Sequence, residues 1–419
     1  MTVGDPFLIG GVIIACFVAF NIGGATTGPA FGPAVGANVL SKTTAGALMA
    51  VAFFGGAYTI GRRVVDTLGT ELVHDPSVFT LEASIIVLFF IGGALLVGNL
   101  SGAPASTSMT AVGAIIGLGL ASGELNFAVV GEILAWWILS PIIGFWLAVM
   151  VGRYGYEALD RRVAIEQSDG PLLAFERVEL GRWPVVRLRE SPVVRMERIS
   201  PKLWPALGPN TSWREAVGTA VLVSIGFLMA FSSGTSNIAN AIAPLVGSGA
   251  LAMNPGILIG CGAVAVGALT IARRTMETLG NDITDLPLTA AIVVALLSSL
   301  IIIALSALGI PASFVVVATL CIIGLGWGRS TQAVSVAEAV RGDVSPQVSV
   351  GALARGDDAT VGTVRSQSAP QGASRRTAPV RSDLFDPGTS VRVVLMQNVV
   401  PLLATGGSYL TFWLLPVGG

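Results

Sequence analysis

The side chains in this sequence best suited to chemistry carry no charge. Thr26 and Thr27 lie in one glycine-rich stretch, and Ser236, Asn237 and Asn240 lie in another. Hydroxyls and amides of this kind replace water around an ion without adding charge of their own. A third group, Ser106, Thr107, Ser108 and Thr110, follows Pro104 and falls where a helix would begin. The first N–H groups of a helix have no internal acceptor, so hydroxyls placed there extend a surface of donors. A tetrahedral oxyanion requires such a surface. Plainer readings stand beside this one. Small residues let membrane helices pack closely, and Ser or Thr can cap a helix or bond back to its own backbone.

The spacing of these groups sharpens the reading. Gly23-Gly-Ala-Thr-Thr-Gly-Pro-Ala-Phe-Gly-Pro-Ala-Val-Gly36 returns, ungapped, as Gly234-Thr-Ser-Asn-Ile-Ala-Asn-Ala-Ile-Ala-Pro-Leu-Val-Gly247, 211 residues later. Arg62-Arg63 returns as Arg273-Arg274 at the same offset of 211. Pro104-Ala-Ser-Thr-Ser returns as Pro311-Ala-Ser-Phe-Val, 207 residues later, so that only Ser313 survives of the second hydroxyl cluster. Repetition at a fixed offset marks an internally duplicated chain, and transporters are often built this way. The candidate anion site is therefore Thr26, Thr27, Ser106, Thr107, Ser108, Ser236, Asn237, Asn240 and Ser313.

Charge is sparse and placed at span ends. Arg62 and Arg273 are each followed, four residues on, by an acid, Asp66 and Glu277. That spacing favours pairing within a helix. The arginines read either as interfacial anchors or as a gate or funnel that draws anions inward. Glu132 is the candidate proton carrier, because Ala135–Pro141 continue its helix. Cys16, Cys261 and Cys321 sit in apolar runs without metal spacing, and the one histidine, His74, lies between such runs. No metal site or cofactor is expected beyond Na+ or H+ as a coupling ion. The sequence has no nucleophile elbow, phosphate-binding loop or haem motif, so an enzyme is not expected.

The elements that must position these groups follow from composition. The 419 residues are 53% hydrophobic and 12% charged, with mean hydropathy +0.77. Soluble domains carry about 25% charge. So much apolar surface needs lipid as its solvent. The net charge of −1 gives no reason to expect a nucleic-acid partner. About ten apolar runs have span character: Phe7–Ile22, Thr44–Ile60, Ala83–Leu100, Ala105–Leu120, Phe127–Val151, Ala216–Phe231, Pro255–Ile271, Ala290–Leu308, Ala312–Trp327 and Val393–Leu415. The expected fold is an all-α integral membrane protein of two inverted repeats, each of about five spans. Residues 1–152 form the first repeat and 214–328 the second. Residues 153–213 are an Arg-rich loop, 329–391 have the composition of disorder, and 392–419 hold a final span. Arginine favours the cytoplasmic side, which puts both long loops there and both termini outside. The glycine-rich stretches are expected to open their helices at membrane depth, exposing N–H groups to an anion and carbonyls to a cation. The runs opening at Pro104 and Pro311 are candidates for re-entrant hairpins.

Gly234-Thr-Ser-Asn-Ile-Ala-Asn-Ala-Ile-Ala-Pro-Leu-Val-Gly-Ser-Gly-Ala-Leu251 resembles the signature of the inorganic phosphate transporter family, roughly GANDVANAxGxxVGSGAL. Pro104-Ala-Ser-Thr-Ser is similar to its PVSTTH segment, and Ser140-Pro141 to its tryptophan-bearing helix. The resemblance covers both membrane halves but not the polar loops. It implies a permease moving inorganic phosphate or a similar tetrahedral oxyanion across the cell membrane by cation symport. Two departures qualify it. The family's Asn-Asp becomes Ala25-Thr26 in one half and Ser236-Asn237 in the other, so both carboxylates are missing. The family's histidine position is Met109. Phe20-Asn-Ile-Gly-Gly-Ala25 is instead similar to the sulfate permease branch, which makes sulfate the alternative cargo. Expected partners are an oxyanion and the bilayer, with a homodimer as one option for assembly. A non-transporting receptor or scaffold is the rival of another class, and a passive channel is a third reading.

Overall fold

The structure, a computed structural model, describes residues 5–36, 40–100, 106–163, 173–177, 203–207, 213–272, 288–331 and 387–415. Arg273, Pro104 and nearly all of 329–391 lie outside these ranges, as do most of 164–212. The first half holds α1 (Pro6–Gly36), α2 (Lys42–Thr59), α3 (Gly61–Asp66), α4 (Leu81–Leu100), α5 (Thr107–Ser122) and α6 (Phe127–Met150), followed by a short α7 (Tyr156–Val163). The second half holds α8 (Trp213–Gly247), α9 (Met253–Leu269), α10 (Leu288–Ala307) and α11 (Phe314–Ser330), and α12 (Pro387–Leu414) ends the fold. Five of the described helices are long and apolar enough to cross a membrane, or six if the pair bent by 64° at Ile60 is one span. Two strands, Leu173–Arg177 and Leu203–Leu207, pair antiparallel within the first polar segment. The membrane part is helical in its named elements, with one isolated bridge between Val73 and Leu125 among the described residues.

One expectation is corrected here. The glycine-rich stretches do not open. α1 runs unbroken through 31 residues and α8 through 35, each absorbing a predicted span and the glycine run after it. The reason lies in what the glycines touch. A Cβ on Gly23 would overlap the Val264 carbonyl of α9, and one on Gly234 would overlap the Phe53 carbonyl of α2. One on Gly56 would overlap the Phe231 carbonyl of α8, and one on Gly267 the Phe20 carbonyl of α1. These glycines let backbones approach each other, as small residues do between membrane helices. The four contacts are also two reciprocal pairs. Shifting Gly23 and Val264 by the repeat offset gives Gly234 and Phe53, and shifting Gly56 and Phe231 gives Gly267 and Phe20. α1 packs on α9 as α2 packs on α8, and α5 packs on α12 as α6 packs on α11. The buried Phe31, Phe53, Ile238 and Ile242 fill the centre.

The backbone breaks elsewhere. α11 follows α10 after a turn in which Gly309 adopts φ 82°, a left-handed conformation that suits glycine. α11 then runs parallel to α6, with Gly144 of α6 against Val317 and Cys321, and Gly328 against Val149. It therefore starts beside the middle of α6. α5 likewise packs along α12, with Gly113 against Pro401 and Thr405 and Gly117 against Ser408, whose Oγ donates to the Ala114 carbonyl at 2.7 Å. Both are shorter apolar helices than the neighbours they pack along.

Candidate functional site

The start of α5 meets α8 and the turn before α11 in one buried polar cluster. Ser106 is the N-cap of α5 and accepts from Met109 N at 3.2 Å. The next two hydroxyls are thereby aimed at α8. Thr107 Oγ1 donates to Asn237 Oδ1 at 2.6 Å. Ser108 Oγ lies 3.3 Å from Ser236 Oγ. Both serines donate to the Ala312 carbonyl, at 3.1 and 3.0 Å, and Ala312 N donates back to Ser236 Oγ at 3.3 Å. Asn240 Nδ2 donates to Ser108 Oγ at 3.4 Å and to Asn237 Oδ1 at 3.2 Å. Asn237 Nδ2 donates to Ser233 Oγ at 3.0 Å, four residues earlier on α8. Ser108, Ser236, Asn237 and Asn240 are buried and Thr107 is half-buried.

One polar atom in the cluster is left over. Asn240 Oδ1 is buried and has no hydrogen-bond partner. A buried acceptor without a donor costs roughly 1–3 kcal/mol. It is therefore a place where a cation or a protonated solute oxygen gains. The cluster as a whole offers hydroxyl and amide donors to an anion, and hydroxyl and amide oxygens to a cation. None of its side chains titrates in the physiological range. Among the described residues no group of three His, Cys, Asp or Glu could hold a metal ion.

Of the nine expected site residues, Thr107, Ser108, Ser236, Asn237 and Asn240 come together, with Ser106 holding the helix start. Ser313 is the N-cap residue of α11, beside Ala312, and its side chain makes no cap bond. Thr26 and Thr27 do not join the cluster. Their hydroxyls donate to the Ile22 and Gly23 carbonyls one turn back, at 2.8 and 2.6 Å, which is the plainer role open to Ser and Thr in a helix. Arg62 is also apart from it. It stands at the bend after α2, donating to the Tyr58 carbonyl at 2.9 Å and to Asn254 Oδ1 at 2.5 Å, with its guanidinium over the Tyr58 ring at 4.4 Å. The pairing expected with Asp66 is not among these contacts. Arg63 donates to the Ala307 carbonyl at the end of α10. Glu132 is exposed on α6 and away from the cluster.

Sequence reasoning missed four participants. Ser233 was findable, since it lies four residues before Asn237 on one helix face. Asn254, the Ala312 backbone and Trp137, whose Nε1 donates to the Pro311 carbonyl at 2.7 Å, gave no local signal, because each meets its partner only through tertiary packing.

The family model described as the phosphate transporter family matches residues 22–345, which span both halves and every member of this cluster. The chain belongs to the phosphate transporter family. It is 28% identical over 320 residues to the sulfate permease CysP of Bacillus subtilis, covering 76% of this chain and 77% of that protein. Its fold matches that of a solved sodium-dependent phosphate transporter with TM-score 0.64, over 98% of this chain and 99% of that one, at 16% identity. As a member of this family the chain is a multi-pass membrane permease, and the receptor or scaffold alternative falls away.

Proposed function

We propose that the chain is a secondary active transporter that carries inorganic phosphate, or a similar tetrahedral oxyanion, across the cell membrane by cation symport. The observation that carries this reading is the buried neutral cluster joining the start of α5 to α8. Thr107 Oγ1 and Asn237 Oδ1, 2.6 Å apart, are its centre. An arriving anion competes for these hydroxyls, which turn from each other toward its oxygens and share it with the N–H groups at the α5 start. The bonds they now make to one another satisfy these groups, Asn240 Oδ1 excepted.

Two repeats of opposite orientation fit the reciprocal glycine contacts, and they would carry both Arg-rich loops on the cytoplasmic side. The coupling ion in this reading is sodium rather than a proton, because the cluster has no titratable side chain while Asn240 Oδ1 offers a free oxygen. Arg62 acts at the rim as a gate or funnel.

Sulfate is the second reading, and one observation favours it. The positions where the family's motif carries Asn-Asp are Ser236-Asn237 and Ala25-Thr26 here, so no carboxylate accepts a proton from the solute. Sulfate brings none, whereas phosphate near neutral pH does. The match to a sulfate permease supports the same choice. Uptake of radiolabelled phosphate and of sulfate into proteoliposomes, each competed with the other, ranks the two. Saturable uptake of either, driven by a sodium gradient and lost in Asn237→Ala, is the expected result. Absence of uptake and exchange for both anions would overturn the assignment.

A further inference from the structure

Two neighbouring helices finish side by side, each on an arginine. α6 passes through a widened turn, Val151–Gly155, into α7. α11 ends beside that turn, with Arg329 in its last turn. A Cβ on Gly152 would crowd the Leu325 carbonyl and Arg329 N, and one on Gly328 would crowd the Val149 carbonyl and Arg153 N. The two glycines let the backbones touch, and so bring Arg153 and Arg329 together at one end of the fold.

Both cations are held on aromatic rings and not on acids. The guanidinium of Arg153 lies 5.7 Å from the centre of the Tyr154 ring, and that of Arg329 lies 4.2 Å from the centre of the Tyr156 ring. Neither has a carboxylate or hydrogen-bond partner among the described residues. Two acids stand close by on α7 but are occupied. Asp160 accepts from Thr289 Oγ1 at 2.9 Å, and Glu157 is also engaged. Tyr156 is 5% exposed, and its hydroxyl has no partner among the described residues. It is a donor that the protein leaves unused, on the ring that carries Arg329. Next to these polar groups the surface is apolar. Trp146, Met150, Tyr154 and Trp327 are each more than half exposed, and Phe145 meets Trp146 and Trp327 edge to face at 5.5 and 6.1 Å. Exposed rings of this kind sit at the headgroup level of a bilayer.

We propose that Arg153 and Arg329 bind the headgroup of an anionic phospholipid at the shared end of α6 and α11. A guanidinium fork matches two phosphate oxygens, and stacking on tyrosine holds each fork in place before the lipid arrives. The apolar wall decides for a lipid over a free ion. Trp146, Met150 and Trp327 give acyl chains a surface next to the charges, whereas a soluble anion gains nothing from it. Both Arg-rich segments leave from this end, so in the orientation proposed above the lipid belongs to the cytoplasmic leaflet, where anionic headgroups concentrate. A plain interfacial anchor would take any headgroup phosphate. The discriminating variable is therefore the net charge of the headgroup.

The test is a thermal titration of the full chain in neutral detergent with phosphatidylglycerol, with phosphatidylcholine and with inorganic phosphate, for wild type, Arg153→Gln and Arg329→Gln. Phosphatidylglycerol should raise the wild-type melting temperature at a lower mole fraction than phosphatidylcholine does. Each substitution should raise the phosphatidylglycerol needed for half the shift by about fivefold and leave the response to phosphatidylcholine alone. Arg153→Gln keeps the test decisive if Arg329→Gln fails to fold, because Arg153 is exposed and touches only the Tyr154 ring. An unchanged half-shift in Arg153→Gln overturns the proposal. Equal wild-type responses to the two lipids overturn it as well and make the arginines plain anchors. A substitution that weakens the response to inorganic phosphate and spares that to phosphatidylglycerol assigns the pair to a soluble anion instead. None of these outcomes depends on which anion the chain carries.

Discussion

The two halves share their close packing and differ in their chemistry. Gly23 and Gly56 approach second-half carbonyls in the way that Gly234 and Gly267 approach first-half ones. At the starts of α5 and α11 the likeness stops. Thr107 and Ser108 correspond to Phe314 and Val315, and Ser236 and Asn237 correspond to Ala25 and Thr26. One pairing makes the buried cluster. The other leaves Thr26 bonded to its own helix at 2.8 Å. Duplication thus preserved the backbone-to-backbone contacts, where any side chain is an obstruction, and released the polar positions to diverge. The start of α11 carries no side-chain cap.

Four sets of substitutions break or sharpen this contrast. The largest effect belongs to the shared scaffold. Gly234→Val or Gly56→Val puts a branched side chain into a neighbouring carbonyl, and over-packing of this kind exceeds the roughly 1–3 kcal/mol typical of a core that can adjust. Neither variant should yield folded protein by size-exclusion chromatography in detergent. Gly131→Ala on α6, where a Cβ meets nothing within 4 Å, should behave as wild type. Recovery of folded Gly234→Val would show that the repeats are not locked through these glycines.

Next come the divergent positions. Asn237→Ala removes a partner of Thr107, Asn240 and Ser233 at once and should cut anion uptake by roughly tenfold or more. Its counterpart Thr26→Ala should change uptake by less than about twofold, since an intrahelical bond of Thr contributes little. Equal losses in the two would mean that both halves serve the anion, and the contrast would fail. A smaller effect is expected at Thr107. Thr107→Val keeps the shape and drops one donor, so KM should rise by about fivefold, whereas Phe314→Leu at the matching place should leave KM alone.

The smallest effect is at the rim. Arg62→Gln should lower the uptake rate by about twofold to threefold at low ionic strength, and by less as salt rises and screens the field. A loss that ignores salt would assign Arg62 to anchoring α3 against α9 through Asn254. The neutrality of the cluster adds a control on pH. Sulfate uptake should stay flat between about pH 6 and 8, because no side chain in the cluster changes charge there. A step in that range would reveal a titrating group on the path.

Part of this site was legible in the chain alone. Ser106, Thr107 and Ser108 after Pro104 read as a helix start rich in donors, and the structure caps α5 with Ser106. Ser236, Asn237 and Asn240 read as ion ligands because amides and hydroxyls cluster there in an apolar run. Gly23–Gly36 was misjudged. Glycine serves both to open a helix and to let another backbone touch it, and the residues that choose between these uses, Phe53 and Val264 among them, are some two hundred positions away. Ser140 was legible only through the resemblance of Ser140-Pro141 to the family's tryptophan-bearing helix.

Composition and repetition determined by themselves that this chain lives in lipid, that it carries an internal repeat, and that the polar side chains within its apolar runs are mostly neutral. These properties depend on residue type and offset, which a sequence states outright. Only the tertiary structure decided that α1 and α8 stay wound, that Thr107 rather than Thr26 faces Asn237, and that the start of α11 carries no side-chain cap. Each of those turns on which two distant backbones come within reach of a hydrogen bond. That distance is set by side-chain volume at helix crossings, and it appears nowhere in the order of the residues.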